Sequence, residues 1–138
     1  MDLIVDSNIL FSALIKDGVT SNLLFHDELR LYAPEYLLIE FQKHKNLIKA
    51  KTERSDGEFD RLMEILQRRI TVVPAEEILP HMREASNISP DPSDSPFFAL
   101  AILLGANLWS NDKKLKTQKR VLVLSTEDLI EHLSKHTH

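Results

Sequence analysis

The chain has 138 residues, 43% of them hydrophobic and 28% charged, the balance of a globular protein with one sizeable core and too little length for two ordinary domains. It contains no cysteine, which excludes disulfides, thiolate zinc sites and cysteine nucleophiles, so any metal must be held by oxygen or imidazole. A formal net charge of -4 argues against coating nucleic acid by bulk electrostatics. With no basic-then-apolar leader and no run of about 18 uncharged apolar residues, a cytoplasmic location away from membranes is expected.

The first element is a strand, LIV at 3–5, which runs into Asp6, Ser7 and Asn8; Asp6 and Ser7 suit the cap of a first helix. The apolar residues Leu23, Leu24 and Phe25 fit either the core or an interface, and LRLYA at 29–33 reads as the second strand. A helix is predicted from Tyr36 to about Lys51, with Leu37, Phe41 and Ile48 on one side, followed by a turn over KTERSDGEF at 51–59. Phe59 to Leu66 has helical spacing, and ITVV at 70–73 is a third strand.

The sharpest helix punctuation lies in SPDPSDSPFFALAILLGANL. Pro90 and Pro92 keep the chain extended, Asp94 or Ser95 caps, Pro96 suits the first turn and Gly105 the exit, so a helix from Phe97 to Leu104 starts immediately after Asp94. NLW at 107–109 and VLVL at 121–124 are two further strands, and the end of the chain, with His132, His136 and His138, reads as a frayed polar tail. Strand and helix alternate throughout, with no repeat or linker. The expectation is a single α/β domain over 1–138, a three-layer α/β/α arrangement around a mostly parallel, Rossmann-like sheet.

In such a sheet ligands bind beyond the carboxyl ends of the strands. Asp6 follows the first strand, and Asp112 follows the fourth, because NLWSND carries its strand into polar residues as LIVDSN does. Asp94 opens the helix that leads into that fourth strand, and Glu40 lies at the edge of an apolar helix face, where a carboxylate needs a partner. Each acid also has a plain structural role, as a helix cap or a salt-bridged residue; convergence at one end of one sheet distinguishes the two. Asp91, three residues before Asp94, fits either the cluster or its own turn, and the turn is preferred.

Clustered carboxylates repel one another unless a cation neutralises them, and hard oxygen ligands without thiolates select Mg²⁺ or Mn²⁺. The matching chemistry is phosphoryl displacement by an activated water. Two basic runs flank the acids: Lys43, Lys45, Lys49, Lys51 and Arg54 around the helix carrying Glu40, and Lys113, Lys114, Lys116, Lys119 and Arg120 after Asp112. Each run alone reads as a solvated surface, but beside an acidic centre Lys43, Lys113 and Lys114 are suited to hold the neighbouring phosphates of a long phosphate polymer. Glycine-rich nucleotide loops are absent. The aspartate-nucleophile phosphatase pattern is broken at Asn8, where a second aspartate is required, and no serine triad is recognisable.

The segments LIVDSNIL, LLIEF, DPSDSPFFALAILLGANLWSND and VLVLSTEDL, in order and at suitable separations, resemble the PIN domain, and the resemblance spans essentially the entire chain. It implies a central parallel sheet, a homodimer and Mg²⁺- or Mn²⁺-dependent cleavage of RNA. It also implies that Asp6, Glu40, Asp94 and Asp112 are the catalytic acids. On this reading Asp6, Asp94 and Asp112 hold the metal and Glu40 serves as ligand or water-orienting base. Asn8 matches an asparagine that shapes the site, and Ser110 a hydroxyl residue two positions before the last acid; Ser7 stands where threonine is frequent. Many small members resemble the toxin of VapBC toxin–antitoxin pairs, which implies an antitoxin partner. Two other functions use the same residues differently: a metal-dependent phosphatase, and a non-enzymatic RNA- or protein-binding module whose acids are caps.

Overall fold

The computed structural model describes residues 1–15 and 18–136, so that His138 of the polar tail lies outside the described residues. All five predicted strands form: β1 (Asp2–Val5), β2 (Arg30–Pro34), β3 (Ile70–Val73), β4 (Asn107–Trp109) and β5 (Val123–Leu124). They make one sheet in the order β3-β2-β1-β4-β5, and every pairing is parallel. Leu3, Ile4 and Val5 have no solvent exposure. A central parallel strand is covered on both faces, which is why it reads as an unbroken apolar run.

The helices are α1 (Ser7–Ile15), α2 (Val19–Leu24), α3 (Tyr36–Lys43), α4 (Lys45–Thr52), α5 (Asp56–Arg69), α6 (Ala75–Ile78), α7 (Met82–Ile88), α8 (Ser95–Leu104) and α9 (Thr126–His136). Helix α8 is apolar all round, with Phe97, Phe98, Ala99, Leu100 and Ala101 buried, as befits a helix packed on β1, β2 and β4 and covered by α7. It starts at Ser95 as the prolines predict, and Gly105 closes it at φ 62°, a left-handed exit that glycine adopts without strain. Leu23 and Leu24 belong to the core, whereas Phe25 is exposed.

Four expectations need correction; the first is the frayed tail, since His132 and His136 lie within helix α9. The helix predicted over 36–51 is two helices, broken at His44 (φ −103°, ψ 15°). The ring of Phe11 packs edge-on against Phe41 at 4.7 Å and against His44 at 5.9 Å, so tertiary packing turns the chain while Leu37, Phe41 and Ile48 all stay buried. The turn expected over 51–59 is far shorter, because α4 continues to Thr52 and Ser55 already caps α5 in a reciprocal box with Glu58. Pro92 to Asp94 is not extended but a 3-10 turn. Asp91 sets it up by accepting from the Ser93 amide at 3.0 Å and the Ser93 hydroxyl at 2.9 Å.

Arg69, at the end of α5, donates to the carbonyls of Leu24, His26 (2.9 Å) and Leu29 (2.8 Å), which ties the α2–β2 connection to the sheet. No described helix is long and apolar enough to cross a membrane.

Candidate active site at the strand ends

The strand order reverses between β1 and β4, and this switch point is where an open parallel sheet leaves a crevice. Asp6 stands at the end of β1. Its amide donates to the Trp109 carbonyl of β4 at 3.1 Å, and its own carbonyl accepts from Ile9 and Leu10 to start α1. The carboxylate is almost fully buried, and burial pushes its pKa up; the Ser110 hydroxyl and the amides of Asn8 and Ser7 oppose that rise, while the charge of Asp112 adds to it.

Ser110 connects two of the acids. Its hydroxyl donates to Asp6 Oδ2 at 2.7 Å and accepts from the Asp112 amide at 3.1 Å, while its own amide is held by the Leu124 carbonyl at 3.0 Å. Asp112 Oδ1 accepts from the Lys114 amide at 3.0 Å and so also caps the short 3-10 turn over Lys113–Thr117. Glu40, half-buried on α3, accepts the Ser7 hydroxyl at Oε1 at 2.7 Å, so the first residue of α1 orients the acid on α3.

Asp94 takes the capping position of α8 but its side chain makes no capping bond. It is the most perturbed acid, raised to about 6, first by burial and then by the charges of Asp6, Asp91, Asp112 and Glu40. Asp6, Glu40 and Asp112 therefore each lie within electrostatic reach of Asp94. Asp91 adds its charge to that field, yet it is exposed and spends its carboxylate on the Ser93 turn, which holds its pKa low. Asn8 is exposed beside the acids and, with Ile9, Ser12, Asn111 and Asp112, lines a cavity of about 240 Å³.

The four acids form no ion pair with a described Lys, Arg or His. Their donor set, carboxylate and hydroxyl oxygens without sulfur, fits Mg²⁺ or Mn²⁺. Among the described residues no three His, Cys, Asp or Glu side chains are gathered closely enough to hold a metal ion as they stand.

The basic runs divide into two groups. Lys45 and Lys49 pair with Asp56, Lys45 also with Asp60, Lys116 with Asp128 at 2.8 Å, and Arg120 with Glu84 at 2.7 Å. Lys43, one turn beyond Glu40, and Lys113 and Lys114, directly after Asp112, are exposed and form no ion pair among the described residues. A second cleft, about 500 Å³, adjoins the acids and is lined by Ser110, Asn111, Lys113, Lys116 and Thr126 among others. A further cavity, about 680 Å³, runs between the β5 edge and α9 and is lined by none of the four acids. Sequence reasoning passed over Asn111, whose side-chain bonds to Thr126 at the start of α9 are visible only once the chain is folded.

A five-stranded, all-parallel α/β protein with an acidic centre at its switch point is the class that fold and site define. Within that class the chain belongs to the PIN domain family, whose model matches residues 4–136 and whose members are generally nucleases. Among solved structures it is similar to VapBC2 from Rickettsia felis bound to a DNA fragment from its promoter, at 17% identity and a TM-score of 0.70, covering 91% of this chain and 98% of that one. It is similar to VapBC-1 from nontypeable Haemophilus influenzae at 17% identity and a TM-score of 0.65, covering 92% and 99%. PAE2754 from Pyrobaculum aerophilum gives 17% identity and a TM-score of 0.63, covering 98% and 90%. No curated protein matches the sequence.

Proposed function

We propose that this chain is a divalent-metal-dependent endoribonuclease whose centre is the meeting point of Asp6, Glu40, Asp94 and Asp112. The observation that carries this reading is the convergence of four acids, three from separate strand or helix ends, with no described cation paired to them. Bound among these oxygens, Mg²⁺ or Mn²⁺ would supply charge neutralisation and Lewis-acid activation of water for attack on a phosphodiester.

Asp6, Asp94 and Asp112 are the proposed metal ligands. Ser110 fixes the rotamer of Asp6 and the main chain at Asp112, so both carboxylates reach the centre from a shared hydroxyl. Glu40, oriented by Ser7, is placed to accept a proton from the attacking water or to complete the ligand set. Asn8 borders the cavity beside Asp112, and Asp91 shapes the turn that presents Asp94. Lys43, Lys113 and Lys114 are free to engage phosphates on either side of the scissile bond, which suits a polymer better than a small phosphate ester.

The fold likeness to VapBC structures supports a cytoplasmic toxin held inactive by an antitoxin protein. The exposed apolar residues Tyr36 and Ile39, three apart on α3, are available to a homodimer or to that antitoxin. The test is calorimetric Mn²⁺ titration of wild type, Asp6→Asn and Asp112→Asn, with cleavage of a structured RNA pool in the same buffers. Joint loss of binding and cleavage in both variants supports the reading; unchanged cleavage in Asp6→Asn overturns it.

A further inference from the structure

The loop Ser110–Asn111–Asp112 touches the start of α9 through side chains. Asn111 Oδ1 accepts from the Thr126 amide at 2.7 Å, Asn111 Nδ2 donates to Thr126 Oγ1 at 3.0 Å, and the indole of Trp109 donates to the same oxygen at 3.1 Å. The polarity is unambiguous. A main-chain amide and an indole can only donate, so the Asn111 oxygen must face the amide and Thr126 Oγ1 must accept from the indole.

These bonds are not needed to start the helix. Helix α9 has its own reciprocal cap, in which the Asp128 amide donates to Ser125 Oγ at 3.1 Å and the Ser125 amide donates to Asp128 Oδ2 at 2.9 Å. Strand β5, two residues long, adds little ladder to fix where α9 begins. What the Asn111 bonds constrain is the loop itself, and Asn111 lines both the 240 Å³ cavity beside Asp112 and the 500 Å³ cleft against α9. We infer that Asn111 is a positioning residue, which with Thr126 and Trp109 fastens the acid-bearing loop to α9 and so fixes where Asp112 is presented. Its consequence for metal binding rests on the nuclease reading above; the fastening itself does not.

Three variants separate the contributions. Asn111→Ala removes both bonds to Thr126, Thr126→Val removes the shared acceptor while keeping shape, and Thr126→Ser retains all three bonds. Amide exchange at Asp112 and Lys114, read by NMR, reports the loop directly, because these amides donate to Ser110 Oγ and Asp112 Oδ1. The methyl resonances of Leu3, Ile4 and Val5, buried in the central strand, confirm that the core is intact.

In Asn111→Ala and Thr126→Val these two amides exchange several-fold faster. Mn²⁺ affinity falls about three- to tenfold, the size of one or two hydrogen bonds. Saturating Mn²⁺ restores cleavage, and Thr126→Ser behaves as wild type. Wild-type exchange at Asp112 and Lys114 in both disrupting variants overturns the fastening. Wild-type Mn²⁺ affinity in them, where the parent protein binds Mn²⁺, overturns the positioning role. A parent protein that binds no Mn²⁺ overturns the nuclease reading instead, and amide exchange then decides the fastening alone.

Discussion

Ser110 and Asp6 stand 104 residues apart in sequence and 2.7 Å apart in space, joined by a hydroxyl that donates to a buried carboxylate. That bond opposes the rise that burial imposes on the Asp6 pKa. Ser110→Ala is expected to raise the Asp6 pKa further and to lower stability by about 2 kcal/mol, the scale of a hydrogen bond to a charged group. Ser110→Thr, which keeps the hydroxyl, should retain most of both. Urea unfolding together with the acid limb of the cleavage profile reads the two effects.

Asp94 makes stability fall with rising pH. Its carboxyl is raised, by burial and then by the surrounding acids, from the ordinary 3.8 to about 6. The folded state therefore holds its proton more tightly than the unfolded chain, and the stability this contributes is complete below 3.8 and lost as pH rises through 6. Asp94→Asn should accordingly melt higher than wild type at neutral pH, with the gap closing at pH 4. Added Mn²⁺ should stabilise the wild type and not the variant. Asp91→Ala, which removes the Ser93 turn and one of the charges that raise Asp94, should instead melt lower while still being stabilised by added Mn²⁺. Melting curves at several pH values, with and without Mn²⁺, separate the two aspartates.

The lysines should divide as their partners do. Lys43→Gln, Lys113→Gln and Lys114→Gln should each weaken RNA binding and reduce the slope of log affinity against log salt by about 0.7. Lys45→Gln and Lys49→Gln, whose charges are engaged by Asp56, should leave that slope nearly unchanged. Filter binding across a salt series measures it, with Mn²⁺ titration as the control that the acids are intact.

Arg69 is a stability residue remote from the acids. Its guanidinium satisfies three main-chain carbonyls between Leu24 and Leu29, and Arg69→Ala leaves them to solvent. A loss on the order of 2 kcal/mol is expected. Mn²⁺ affinity of the folded variant should not change.

The strands were legible because each falls in a short, largely apolar segment bounded by polar residues, with β1 buried on both faces. Asp6 and Asp112 were legible with them, since an acid at once or two residues after such a segment falls at the carboxyl ends of β1 and β4, where the strand order reverses. Glu40 was harder to place: its orientation depends on Ser7, a residue on another helix. The break at His44 left no local signal, and the ring that packs against it, Phe11, lies more than thirty positions away. The Ser55–Glu58 capping box was present as SDGE and overlooked, and the Pro92–Asp94 turn was masked by reading its prolines as extension. Asn111 left no local signal, since its partner Thr126 acquires meaning only when α9 docks.

The pairing of β1 with β4 also orders events during synthesis. Asp6 leaves the ribosome before its hydroxyl partner, 104 positions further along, and before the fourth acid, and contacts of such long sequence separation form late. A nascent chain made only as far as position 90 carries Asp6 and Glu40 with neither Asp94 nor Asp112. If the finished protein cuts RNA, the translation machinery that makes it is spared until Asp112 has emerged.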